Sequence, residues 1–363
     1  MSSLPTTTSQ AGLVSGYSPA VHFFALVLTL SVFPLIWVGS LVTTYDAGMA
    51  VPDWPSTYGY NMFAYPIRTW LFGPFDLLAE HSHRLLGTIA GLLSIGLVFS
   101  AWRYETRPWF RWWTVAVLLG VICQGLLGGM RVRLDARTLA MVHGCTASLF
   151  FAMATATAVM SSKFWFRAAL NRSVKVRERV QDNECVDGKG DSLWLTGPVV
   201  RYAAGLLMIV SFLQLTVGAQ LRHITGAASP GFFVSSVHLH LTMAALIVIL
   251  SVVLLAAVRR QTAPPTRRSA LGLVLLVLMQ VALGIGTWLV NYALPWPELS
   301  PELATYTILA KGYYESMVVT AHVATGSLII CFSTVATFAA WRTKAAAAAT
   351  GPKGSWQWKR QLA

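Results

Sequence analysis

Eight apolar stretches of about twenty residues restrict this chain more than any other feature. A helix that crosses a bilayer needs roughly 20 predominantly apolar residues. Only 11% of the residues are charged, whereas a soluble domain carries about 25%. We therefore predict an all-α integral membrane protein with eight transmembrane helices. The predicted spans are 21–43, 81–101, 112–130, 138–160, 198–219, 235–258, 269–290 and 316–341.

The net charge of +13 follows the membrane topology and does not indicate a nucleic-acid partner. Of the 27 Lys and Arg residues, 20 lie in or directly beside the segments after the even-numbered helices, if Arg201 at the mouth of helix 5 is included. Cytoplasmic segments accumulate Lys and Arg, so we expect both termini in the cytoplasm and the even-numbered helices to begin at the outer face. The first apolar stretch has no basic residue before it, and we interpret it as a retained helix. We expect a multi-pass protein of a bacterial plasma membrane, surrounded by lipid.

An internal repeat predicts the architecture. Helices 3, 5 and 7 carry Gln-x-x-x-Gly near their outer ends, and the even-numbered helices open with His-x-x-x-Gly/Ala. Helix 1 matches in part, with Gly39 in place but Leu35 where the glutamine would be. The repeating unit is a helix pair, so the simplest assembly is two tandem four-helix bundles. We predict an N-terminal bundle (1–160), a cytoplasmic linker (161–197), a C-terminal bundle (198–342) and a cytoplasmic tail (343–363).

Four histidines occupy the equivalent positions of this repeat. Ionisable residues inside the hydrocarbon layer are costly and are functional candidates by default. Histidine also binds haem iron on one or both axial faces. An interhelical hydrogen bond is the better explanation of a single membrane histidine, but four at equivalent positions make coincidence less credible. We predict one iron-bearing ring in each bundle, held by His83 and His143 in the first and by His240 and His322 in the second.

Helix 6 leaves one ligand open, because it contains both His238 and His240. Side chains two positions apart on a helix point to different faces, so His238 and His240 are not both suited to one site. His240 is preferred because a small residue, Ala244, follows it by four positions, whereas Thr242 follows His238.

Four arginines of the predicted outer loops are candidate contacts for the ring propionates, through charge-assisted hydrogen bonds. Ordinary solvation of the loops is the competing explanation. The four are Arg131, Arg133, Arg137 and Arg222.

Glu80 distinguishes the first histidine from the other three. It precedes His83 by three residues, which places both side chains on one helical face. The equivalent positions before the other histidines are Ala140, Val237 and Val319. A partly desolvated glutamate can take or give protons, so we predict one catalytic ring site and one that holds a ring. The alternative is that Glu80 stabilises the positive end of its helix dipole.

At these residues the chain resembles the haem A synthase family. The resemblance rests on Glu80-x-x-His83-Arg84, the three later histidines, Gly39, and Pro52-Asp53-Trp54-Pro55. It implies oxidation of a ring methyl group of haem O to the formyl group of haem A, for assembly of terminal oxidases. Glu80, His83 and His143 would then serve the substrate haem O, while His240 and His322 would hold a resident haem b. A haem O synthase and an electron acceptor are the implied partners.

The sequence departs from the family in one feature and leaves two rival functions open. Some members of the family carry a cysteine pair in the first outer loop, and residues 44–79 contain none. A dihaem electron-transfer protein would also use paired histidines, but usually with a ring near each membrane surface. A haem-handling transporter or assembly factor without catalysis would not need Glu80.

Overall fold

The computed structural model describes residues 16–168, 192–224, 228–258, 262–292 and 312–348. Eight of the helices in this part of the chain are long and apolar enough to cross a membrane, which confirms the predicted all-α fold. We number these eight helices α1 to α8. They are α1 (Pro19–Thr44), α2 (Phe75–Tyr104), α3 (Pro108–Arg133), α4 (Arg137–Ser161), α5 (Ser192–Arg222), α6 (Pro230–Ala257), α7 (Pro264–Tyr292) and α8 (Tyr313–Ala348).

The helices extend beyond the predicted apolar spans at both ends, except that α6 ends at Ala257, just before its predicted end at 258. Four of them begin with proline. Proline lacks a backbone N–H, and at the start of a helix this group would have no partner within the helix. Helix α2 begins at Phe75 rather than near residue 81. The predicted span missed its first turns because they include polar residues such as Asp76 and Glu80. Helix α8 runs to Ala348, into the predicted tail, through a run of alanines that favours helix. Most of the predicted linker and tail lies outside the described residues.

The helix contacts are compatible with two tandem bundles. Helix α1 packs against α2 and α4, and α3 lies between α2 and α4. In the second half, α5 packs against α6 and α8, and α7 lies between α6 and α8. The halves meet where α8 contacts α1 and α4, and where α4 contacts α5. In the most apolar window of α8, 61% of the residues are buried inside the protein, against 11% for α7, because α8 faces both halves.

Each half has its own apolar core. Leu28, Leu97 and Phe110 belong to a cluster formed by α1 to α4. Leu207 and Leu254 belong to a second cluster formed by α5 to α8. Phe338 of α8 packs against the first cluster although α8 also contributes to the second. The helix that carries His322 therefore joins the two cores.

Arg222 ties the ends of three helices together. It is the last residue of α5, and its guanidinium donates hydrogen bonds to the Ser40 carbonyl (2.7 Å), the Ser40 hydroxyl (3.2 Å) and the Thr44 hydroxyl. Thr44 in turn accepts from Thr320 of α8 (3.4 Å). The C-terminal end of α1 carries partial negative charge, which stabilises a cation placed there. The sequence suggested a ring propionate as the partner of Arg222, but these contacts direct its guanidinium to α1.

Replacing Arg222 by glutamine should destabilise the junction between the halves. Hydrogen bonds to a charged group contribute about 1.5–3 kcal/mol each, so we expect a loss of at least about 2 kcal/mol. Thermal unfolding of the detergent-solubilised protein measures the effect. Arg133→Gln is the control because Arg133 is exposed, and equal unfolding temperatures for the two variants would contradict this role of Arg222.

Candidate functional site

The four repeated histidines meet in two pairs. The rings of His83 on α2 and His143 on α4 have centroids 6.2 Å apart, and we call them the N-terminal pair. The rings of His240 on α6 and His322 on α8 have centroids 6.4 Å apart, and we call them the C-terminal pair. An imidazole nitrogen binds a metal ion at about 2 Å, so two imidazoles on opposite sides of one metal have centroids about 6 Å apart. Both pairs have this spacing.

Each histidine of the two pairs packs against a glycine of the preceding helix. A Cβ atom on Gly39 would lie 2.5 Å from the Cε1 atom of His83, and in the other three contacts the corresponding distance is 3.0 to 3.2 Å. A side chain at any of these positions would therefore displace an imidazole. The contacts are Gly39 with His83, Gly128 with His143, Gly218 with His240, and Gly284 with His322.

These contacts explain the glycine of the repeat. Glycine usually allows the backbones of membrane helices to approach each other closely. The structure shows that the glycine on each odd-numbered helix instead makes room for the imidazole of the next helix. Gly39 makes the closest of the four contacts. Helix α1 lacks the glutamine of the repeat, but it keeps the glycine that makes room for the imidazole.

The Nδ1 atom of His83 contacts the backbone where the repeat lacks its glutamine. Nδ1 lies 3.2 Å from the Leu35 carbonyl oxygen, which can only accept, so Nδ1 carries the proton in this contact. The neutral imidazole then has its lone pair on Nε2. A metal-binding histidine commonly has its other nitrogen bonded in this way, which fixes the orientation of the ring.

The three glutamines of the repeat lie beside the other three histidines. The Gln124 amide lies 3.2 Å from Nδ1 of His143. The Gln214 amide donates to the backbone carbonyl of His240 (2.9 Å), and the Gln280 amide lies 3.5 Å from Nε2 of His322. The glutamine and glycine of each motif therefore contact the same histidine, which accounts for their fixed spacing of one helical turn.

Two ring nitrogens of the C-terminal pair are buried without a partner among the described residues. They are Nδ1 of His240 and Nδ1 of His322. Buried polar atoms are nearly always bonded, and an exception needs an explanation. A ligand between the rings provides one, because a neutral imidazole can bind a metal through either of its ring nitrogens. The spacing and the unpartnered nitrogens both fit an iron-bearing ring.

The structure separates His240 from His238. His240 is half-buried and faces His322. His238 is exposed, and its Nδ1 donates to the Val234 carbonyl of its own helix (2.9 Å). Of the two, His240 is the one in position to share a ligand with His322.

Glu80 forms a buried ion pair at the start of α2. Its side chain is 2% exposed, and its Oε1 accepts from Arg84 (2.8 Å). Its Oε2 accepts from the backbone N–H of Val51 (2.9 Å). The Arg84 guanidinium also donates to the carbonyls of Val51 (2.7 Å), Asp53 (2.7 Å) and Ser56 (3.0 Å). Both side chains therefore fasten the segment 47–60, which we call the clamped loop.

The clamped loop also packs against α3, close to the N-terminal pair. The Trp54 ring lies against Gly129, which directly follows the glycine that contacts His143. Gly48 lies against the guanidinium of Arg131. The Pro52-Asp53-Trp54-Pro55 motif thus has a positioning role that the sequence did not reveal. The consecutive glycines 128 and 129 were the available signal.

Asp53 holds the turn at the end of the clamped loop. Its carboxylate accepts from the backbone N–H groups of Tyr58 and Gly59, both at 2.8 Å. Partial burial acts to raise the pKa of Asp53, but these hydrogen bonds and one from Ser56 outweigh it, and the pKa lies below its usual range. Asp53 is therefore ionised at neutral pH.

The four candidate arginines occupy different environments. Arg131 is half-buried beside Gly48, and its charge acts on both histidines of the N-terminal pair. Arg133 and Arg137 are exposed. Arg222 is bonded to α1. Of these four side chains, Arg131 has the position best suited to an anionic group on a ring in the N-terminal pair.

Comparison with known proteins gives the family. Residues 22–297 match the family described as cytochrome oxidase assembly protein (COX15-CtaA). The matched region contains Glu80, His83, His143 and His240 and ends before His322. No curated protein gives a significant match to the chain. With more than half of its length matched, this chain belongs to the haem A synthase family of cytochrome oxidase assembly proteins.

Proposed function

We propose that this protein is a haem A synthase that oxidises a ring methyl group of haem O to the formyl group of haem A. The observation that carries the proposal is the difference between two histidine pairs of nearly equal spacing. The N-terminal pair lies next to the buried Glu80–Arg84 ion pair and the clamped loop. The sequence has no carboxylate at the equivalent position before His240 or His322. One pair is therefore suited to chemistry and the other to holding a cofactor.

In this proposal the N-terminal pair holds the substrate haem O, and the C-terminal pair holds a resident haem b. When bound, haem b supplies a redox centre that passes electrons from the substrate to an acceptor. His83 and His143 orient the substrate, and Gly39 and Gly128 fix their rings. Arg131 lies where it can pair with a propionate of the substrate, whereas Arg133 and Arg137 are exposed candidates for the same role.

Glu80 is the proposed catalytic group. Oxidation of the methyl group releases protons, and a carboxylate near that carbon can accept them or stabilise positive charge that develops there. Arg84 and the Val51 N–H hold the Glu80 carboxylate at the edge of the site. The clamped loop covers this edge, and exclusion of water strengthens electrostatic interactions inside a site.

The proposed setting is a bacterial plasma membrane with both termini in the cytoplasm. This orientation follows from the excess of Lys and Arg after the even-numbered helices. It places both histidine pairs toward the outer face, since they lie at the starts of even-numbered helices. The proposed partners are a haem O synthase that supplies the substrate and an electron acceptor.

Substitution of the glycine that faces a histidine should weaken binding of a ring at that pair. A Cβ on Gly128 would lie 3.2 Å from Cε1 of His143, which is closer than ordinary contact. We expect Gly128→Ala to retain less substrate haem, measured as haem O per chain after purification. Gly125→Ala is the matched control, because it lies one turn away on α3 with open space around its Cβ. Equal haem O retention in the two variants would show that this contact does not position His143.

Pigment analysis tests the proposed function. The chain is expressed beside a haem O synthase in a host that makes no haem A, and the pigments are extracted and identified by mass spectrometry. We expect haem A, or its alcohol precursor, in cells that carry the chain and neither in cells that lack it. Production of haem O and haem b alone would favour an electron carrier or a transporter and would refute the enzyme.

A further inference from the structure

A cavity of about 370 Å³ lies between the two halves, at the end of the protein that carries the histidine pairs. Its walls come from the start of α4, the end of α5 with the residues that follow it, and the start of α6. The lining residues that matter here are Arg137, Met141, Gln220, His223, Ile224 and Phe232.

The cavity is distinct from the N-terminal pair. Arg137 and Met141 are four residues apart and share one face of α4. His143 follows Met141 by two residues and therefore lies on a different face, toward His83. The same helix thus contributes to two sites, one inside the N-terminal half and one between the halves.

One end of the cavity is strongly positive. Burial and the charges of Arg222, Arg131 and Arg137 lower the pKa of His223 to about 4, so His223 is neutral at physiological pH. Arg222 is fixed to α1, while the Arg137 side chain lines the cavity itself. The first turn of α4 adds partial positive charge, because no side chain caps its N–H groups. An anion placed beside His223 would be stabilised by all of these groups.

The other wall of the cavity is apolar. Met141, Ile224 and Phe232 line it. Ile224 is buried, and Phe232 is 43% exposed at the start of a membrane-spanning helix. A volume of about 370 Å³ is far larger than a small inorganic anion needs. The combination of a cationic end, an apolar wall and a position between membrane helices is suited to an amphiphile.

We propose that this cavity binds an anionic phospholipid, with its phosphate beside Arg137 and His223 and an acyl chain against Met141 and Phe232. The Gln220 amide and the Thr138 hydroxyl, both in the lining, are available to bond the headgroup. Lipid binding at this site does not require a ring in either histidine pair, so it can be tested independently of the proposed oxidation of haem O.

Native mass spectrometry of the full chain released from nanodiscs tests the proposal. The nanodiscs contain equal amounts of phosphatidylglycerol, which is anionic, and phosphatidylcholine, which is zwitterionic. We expect the wild type to retain one phosphatidylglycerol and Arg137→Gln to retain at least about tenfold less, since a hydrogen bond to a charged group is lost. The double variant with Arg137→Gln and His223→Gln should retain still less phosphatidylglycerol. Arg133→Gln is the control, because Arg133 is an exposed arginine outside the cavity lining.

Four outcomes would overturn the proposal. Equal retention of the two lipids would show that the cavity does not select an anion. Unchanged retention in Arg137→Gln, an exposed position whose change leaves the core intact, would place the lipid elsewhere. Displacement of the lipid by excess inorganic phosphate would reduce the cavity to a site for free anions. Loss of the lipid on loading with haem would identify a ring propionate as the anion.

Discussion

Replacing His240 by alanine should remove the haem of the C-terminal pair, whereas replacing His238 should leave it bound. The two residues differ by two positions on α6, but His240 faces His322 at 6.4 Å and His238 is exposed and bonded to its own helix. Loss of a group that only supports a metal ligand lowers metal affinity about 10–100-fold. Loss of the ligand itself should lower the affinity for haem by more than this.

Haem b per chain, measured on the purified proteins by their absorbance in alkaline pyridine, gives the comparison. His238→Ala is the control for any general effect of a shorter side chain at this end of α6. His322→Ala should lose haem b as His240→Ala does, because we propose that both rings hold the same iron. Equal loss of haem b in His238→Ala and His240→Ala would contradict the pairing.

Replacing Glu80 by glutamine should stop formation of haem A while haem b stays bound. Proton transfer by a positioned side chain contributes about 10²–10⁴-fold to a rate, so we expect product to fall by about 100-fold or more. The C-terminal pair does not contact Glu80, and its haem b should be unaffected. Haem A and haem b extracted from the same cells provide both measurements.

Glu80 also fastens the clamped loop, so a second variant must separate chemistry from positioning. Asp53→Ala removes the hydrogen bonds to Tyr58 and Gly59 within the loop but leaves the Glu80–Arg84 ion pair in place. If Glu80 acts by proton transfer, Asp53→Ala should retain much more activity than Glu80→Gln. Glu80→Asp, which keeps a carboxylate, should recover part of the lost product. Full production of haem A by Glu80→Gln would remove Glu80 from the mechanism.

The fold was predictable because hydropathy determines which segments can cross a membrane. Eight apolar stretches predicted eight helices, and the structure has eight candidate spans. The helix ends were less predictable, as at Phe75 and Ala348, because polar first turns and an alanine run lie outside an apolar window. The repeat predicted which histidines are equivalent, and the structure brings His83 to His143 and His240 to His322.

The contacts around these histidines could not be predicted, because they join residues far apart in sequence. The spacing of Glu80 and Arg84 is that of an ion pair along a helix, but nothing in the sequence indicated that Arg84 binds three carbonyls of the clamped loop. Gly39 could be recognised as part of the repeat, but not as the residue that makes room for His83. Arg222 was grouped with loop arginines by its position in sequence, although it bonds to α1.

Anomalous scattering from iron, in crystals of the protein purified from cells that also make haem O, shows directly whether each histidine pair holds an iron atom. We predict two iron atoms per chain. One should lie about 2 Å from a ring nitrogen of both His83 and His143, and the other should have the same relation to His240 and His322. Iron bound away from these rings, or imidazoles of a pair that hold no iron between them, would contradict this prediction.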